Sequence, residues 1–161
     1  MKIRSLCALT LVAITVMIAG NANAHHTLTA EVIEEILEQP EMLDNSELSL
    51  NPAEQAEQIE AMIEEVFEPM EEVVPGIVDK MNDIAECESN KLQLDVNGRL
   101  IRGQTSDSGI FQVLLVTHRP DYQRIRLDPQ NAPDNVVFAR FLVERKVKQG
   151  RRNVYEDWVC A

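Results

Sequence analysis

Aromatic side chains are scarce in this chain, with one Trp, two Tyr and four Phe among 161 residues. Lysine and arginine are almost missing from residues 25–86, where Lys80 stands alone against 18 Asp and Glu, a balance of −17. Residues 87–161 hold 9 acids and 12 Lys or Arg, a balance of +3. So small a basic excess beside so acidic a stretch excludes nucleic acid as a partner, and a charge split this sharp reads as a chain in two parts. Histidine is limited to His25, His26 and His118. An N-terminal His25 could hold copper through its amine and imidazole with a second His, but a plain polar terminus is the simpler reading. No metal and no organic cofactor is expected. Long apolar runs are absent apart from Leu6 to Ala19. That run is too short for a membrane span. Lys2 and Arg4 precede it and Ala22-Asn23-Ala24 follows, the layout of a secretory signal peptide over residues 1–24. The expectation is a periplasmic or secreted protein beginning at His25, with no integral membrane segment after cleavage.

Of three cysteines, Cys7 leaves with the signal peptide, and Cys87 and Cys160 remain. In an oxidising compartment an even pair reads as a disulfide, the alternative being two separate buried thiols. Pairing would bring Trp158 beside Glu88, and closing so long a loop contributes about 4 kcal/mol.

Hydrophobic spacing predicts mostly helix. Val32, Ile33, Ile36 and Leu37 form one face of a short piece that Thr29 caps and Pro40 ends. Ala56, Ile59, Ile63, Val66, Phe67, Met70 and Val74 mark a second helix, with glutamates opposite. Asn51-Pro52 suits its start, Pro69 should kink it or end it early, and Pro75-Gly76 should break it. Residues 25–75 thus form an acidic helical arm, read as a solvated spacer, as the contact for a protein partner, or as a mask folded back over the basic part.

From Ile77 a new stripe begins. Ile77, Met81, Ile84 and Glu88 fall in one narrow helical sector, so an apolar face runs into a carboxylate. A Glu there is partly desolvated, which favours the proton-bearing form that a general acid needs; the bland alternative is a helix-terminal Glu turned to solvent. Beyond Ser89 the period becomes two: Leu92, Leu94 and Val96 alternate with polar residues, and Asn97-Gly98 signals a β-hairpin returning through residues 99–102. Asp107 or Ser108 is expected to cap a helix carrying Ile110, Val113, Leu114 and Thr117 on one face. A short helical turn over residues 120–127 and a helix from Pro133 to about Lys148, with Val137, Phe138, Phe141 and Leu142 inside and Gly150 as its stop, complete the chain.

The run Ile84-Ala85-Glu86-Cys87-Glu88-Ser89, then Asn97-Gly98 and Gly103, then Asp107-Ser108-Gly109-Ile110-Phe111-Gln112-Val113, and later Asn135, Phe138-Ala139 and Cys160, resembles the lysozyme-like lytic transglycosylases and the resuscitation-promoting-factor type of cell-wall enzyme. The resemblance covers roughly residues 76–161. It implies an α+β, mostly helical fold: a small lysozyme-like domain with a β-hairpin, preceded by the acidic arm. It implies Glu88 as the catalytic acid/base and a saccharide cleft lined by the Gly109–Gln112 turn, with Ser89, Asp107, Gly109, Phe111, Gln112, Tyr155 and Trp158 as substrate-binding candidates. Two departures stand out. Asn90 occupies a position that is usually Gly, and only Phe111, Tyr122, Tyr155 and Trp158 are left to floor a sugar cleft.

The expected substrate is peptidoglycan, cut at the β-1,4 bond between N-acetylmuramic acid and N-acetylglucosamine. A lytic transglycosylase needs one carboxylate in two successive roles. A hydrolytic lysozyme ordinarily needs a second, for which Asp107 is the first candidate and Asp95 the next. The reading from another class is a non-catalytic exported adaptor that holds glycan strands while the arm meets a protein partner.

Overall fold

The structure is a computed structural model that describes residues 45–160. The signal peptide, His25, His26 and the helix expected over residues 29–40 lie outside the described residues. Four helices and one two-stranded antiparallel pair make up the regular structure of the described residues, a mostly helical α+β arrangement.

Helix α1 spans Pro52–Phe67. The Asn51 side chain accepts from the Ala53 N–H at 3.0 Å and Pro52 fills the first turn, a capped start of the kind the sequence suggests. At Pro69 the chain tightens into a 3-10 turn, Glu68–Met70. Helix α2 spans Ile77–Ser89 and begins at Gly76, which has no side chain to cap with. The Glu71 carboxylate takes that role from outside, accepting from Gly76 N–H at 2.8 Å and Val78 N–H at 2.9 Å.

Asn90 (φ 55°) and Lys91 (φ 53°) end α2 in left-handed conformations. Asn tolerates that region better than most residues. The hairpin that follows turns through a three-residue loop: Asp95 N–H donates to Arg99 O at 2.7 Å, and Gly98 takes the left-handed position at φ 73°. One bridge, Leu94 to Leu100, joins its arms, and a second, Arg102 to Ser108, ties the returning arm to the segment that follows. The hairpin's facing differs in part. Leu94 is buried as the alternation of Leu92, Leu94 and Val96 expects, but Gln93 is fully buried as well and Val96 is 65% exposed.

Asp107 and Ser108 cap no helix. They form β1 (Asp107–Ser108), paired antiparallel with β2 (Val113–Leu114), Ser108 opposite Val113. Gly109 (φ 76°) and Gln112 (φ 45°) close the turn between the strands. The Ile110 and Phe111 N–H groups, which a helix start would offer to a cap, are bonded to Gln93 and Asn135 instead. Helix α3, Leu115–Arg124, therefore starts later than expected and carries Pro120 inside it.

Helix α4, Ala132–Lys148, is the centre of the molecule: every residue from Asn135 to Val143 is buried. A helix apolar nearly all round is one wrapped on all sides. Helix α1 lies against both α2 and α4, with Ile59, Ile63, Val66 and Phe67 unexposed in the same cluster as Ile77, Met81, Ile84, Phe111, Phe138 and Phe141. Arg140 of α4 pairs with Glu144 at 2.8 Å and donates to Val66 O at 3.2 Å. The core thus runs without a break across residue 75, while Glu54, Glu57, Glu60, Glu64 and Glu65 face outward. Among the described residues no helix is long and apolar enough to cross a membrane.

Candidate functional site

Ile77, Met81 and Ile84 are unexposed, and Glu88 extends their stripe as a half-buried side chain. Its Oε1 accepts from the Cys160 N–H at 3.4 Å. Cys160 is there because it is disulfide-bonded to Cys87, Glu88's neighbour, across 73 residues of chain. Ser89 is buried and its hydroxyl is used locally, donating to Ala85 O and accepting from Leu92 N–H.

The Gly109–Gln112 turn is set by two buried amides. Gln93 Oε1 accepts from Ile110 N–H at 3.0 Å, and its Nε2 donates to Gln130 O at 2.6 Å. Asn135 Oδ1 accepts from Phe111 N–H at 2.9 Å, and its Nδ2 donates to Ser108 O and Pro129 O. Gly109 is packed so closely on them that a Cβ would stand 2.5 Å from Gln93 Oε1 and 2.6 Å from Asn135 Nδ2. Behind Gln93 lies Gln55 of α1, whose Oε1 accepts from both Gln93 and Leu94 N–H groups at 2.7 and 2.9 Å.

Asp107 and Gln112 come together over Gly103, where a Cβ would touch Asp107 Oδ2 and Gln112 Oε1. The Thr105 hydroxyl donates to Asp107, and Gln112 Nε2 donates to Gly109 O at 2.7 Å.

The tail joins the two halves of the site. Trp158 is 7% exposed, and its indole N–H donates to Phe111 O at 3.1 Å with the rings 6.0 Å apart. Two residues later Cys160 meets Glu88. The rings of Phe111 and Trp158 are thus core, and the Phe111 N–H and carbonyl are both taken by Asn135 and Trp158. Tyr155 is elsewhere: its ring lies under the ammonium of Lys80, at 5.9 Å, and feels the charge of Glu71, and Lys80 stands about two turns before Glu88 on α2. Burial, with the Glu71 charge second, pushes the Tyr155 hydroxyl above the usual value. Tyr122 packs edge-on to Phe138.

On the other side of Gln112 is a cavity of about 270 Å³, lined among others by Thr117, His118, Asp157 and Trp158. The sequence did not place His118. Burial lowers its pKa below the usual 6.5, outweighing the charges of Asp157 and Asp121, so the ring is neutral at pH 7. Lys146 bridges Glu156 at 2.7 Å and Asp157 at 3.2 Å at the rim. Among the described residues no cluster of three or more His, Cys, Asp or Glu side chains is gathered that could hold a metal ion.

Compared with protein-family models, with curated proteins and with solved structures, the chain finds no match.

Proposed function

We propose that the protein is a lytic transglycosylase acting on peptidoglycan, with Glu88 as its single acid/base. The observation that carries the reading is the position of Glu88: it ends a fully buried helical stripe, remains half-exposed, and is joined through Cys160 and Trp158 to the Phe111–Gln112 turn. The protonated carboxyl donates to the glycosidic oxygen as an oxocarbenium-like centre develops. The substrate's N-acetyl group assists. The ionised carboxylate then removes the proton from the C6 hydroxyl, which closes on C1 to leave a 1,6-anhydro end.

The hydrolytic alternative asks for a second carboxylate about 5–5.5 Å away for retention or about 6.5–9.5 Å away for inversion. Asp107 is already engaged by the Thr105 hydroxyl and set against Gly103 and Gln112, which supports its use as a structural group of the turn. An adaptor that grips glycan by aromatic stacking is less well served, since Phe111 and Trp158 are buried in the core. A disulfide is compatible with an extracytoplasmic protein, and the periplasm or the exterior of the cell is where this substrate lies.

The test is to incubate purified cell wall with the protein and weigh the products. The expected fragments carry anhydro ends, lighter by one water than reducing ends, and Glu88→Gln abolishes their release while leaving the melting temperature in place. Cleavage that survives Glu88→Gln sinks the proposal, and reducing ends lost in Asp107→Asn would favour the lysozyme mechanism.

A further inference from the structure

Cys87 and Glu88 are consecutive on the last turn of α2, and Cys160 is tied to both, through its sulfur to Cys87 and through its N–H to Glu88 Oε1 at 3.4 Å. The tail before it is independently anchored: Trp158 by its indole and its packing on Phe111, Glu156 and Asp157 by Lys146. After Trp158 that anchoring stops. Val159 is 98% exposed, and among the described residues Cys160 is tied by the disulfide and by the Glu88 hydrogen bond. With the disulfide open, ordering Cys160 costs more than one such hydrogen bond returns. Cys87 is exposed, so an attacking thiolate has access to the bond.

We infer that the Cys160 main-chain N–H is a positioning group that fixes the Glu88 carboxylate, and that the Cys87–Cys160 disulfide delivers it, so the thiol state of this pair governs Glu88. The inference rests on the reading of Glu88 as the acid/base. The chemistry is a simple exchange: a dithiol gives two electrons and two protons to the bond and leaves as its own cyclic disulfide, and Cys87 and Cys160 become thiols. Glutathione disulfide reverses this, leaving as two glutathione thiols. Reduction releases Val159 and Cys160 from Glu88 and leaves Trp158 seated.

Two measurements test it. In the oxidised, ¹⁵N-labelled protein, Glu88→Gln shifts the Cys160 amide resonance; after dithiothreitol that resonance moves to a random-coil position and no longer responds to the substitution. On purified cell wall, reduction lowers kcat about tenfold with KM held within about twofold, and glutathione disulfide restores it. A Cys160 amide blind to Glu88→Gln in the oxidised protein, or a kcat indifferent to reduction, overturns the inference. Trp158 is the chain's one tryptophan, so its emission reports on the seat of the tail. If reduction shifts that emission, the activity loss is unfolding and the amide response in the oxidised protein decides alone. Wall left uncut by the oxidised wild type defeats the transglycosylase reading and leaves the amide test of the contact standing.

Discussion

Glu71 stands where a helix-capping side chain belongs, because Gly76 at the start of α2 has none. The Val78 N–H and then the Gly76 N–H hold its carboxyl below the usual 4.5. A lowered folded value means that the stabilisation is complete above the ordinary carboxylate range and is lost as pH falls through the folded value. Glu71→Gln should therefore lower the melting temperature by a few degrees near neutrality, and should narrow the drop in melting temperature of the wild type below about pH 4.5, as melts across pH 3 to 7 would show. Gly109 has little freedom to change. Its φ of 76° alone costs an alanine about 1–2 kcal/mol, and a Cβ collides with Gln93 and Asn135. Gly109→Ala is expected to destabilise by at least about 2 kcal/mol in urea unfolding.

Among the elements, α4 carries the most consequence, since Asn135 in its first turns fixes the Gly109–Gln112 turn. Asn135→Ala would strand the Phe111 N–H and the carbonyls of Ser108 and Pro129, a loss of about 3 kcal/mol that should also reduce wall cleavage through a displaced Gln112. Helices of this kind were legible from the sequence: Asn51-Pro52, Pro69, the Ile77–Ile84 stripe and Pro133 all mark what the structure contains. The β region was less so, because tertiary hydrogen bonds outweigh local pattern there. Gln93 occupies a polar slot between Leu92 and Leu94 and reads as solvent-facing, yet the loop amides it satisfies lie 17 residues on, at Ile110. Nothing local marks Gln55 either, an amide on an acidic helix that bonds Ser49 O nearby but whose Oε1 partners are 38 and 39 residues away. Asp107 carries the signature of a helix cap and is a strand residue, because Gln93 and Asn135 reach the amides beyond it first.

For the molecule as a whole, the division suggested by charge does not divide the core. The glutamates of α1 are a solvated face, and its apolar side is shared with α2 and α4. A fragment starting at residue 76 loses Ile59, Ile63, Val66 and Phe67, each worth about 2–5 kcal/mol against a total stability of about 5–15 kcal/mol. It should lack a cooperative melt by circular dichroism, so the role of residues 25–44 is better tested by deleting those alone. Reducing the Cys87–Cys160 bond, which closes a loop of 73 residues, should shift urea unfolding by about 4 kcal/mol. Gln55 has one more consequence at this scale. Its carboxamide closes over the Gln93–Leu94 main chain, one oxygen taking both N–H groups while Nε2 gives to Ser49 O at 2.7 Å and Leu94 O at 3.4 Å. With both N–H groups taken, the Gln93–Leu94 segment has no donor left there to pair with an added strand, so one buried amide closes this margin of the hairpin.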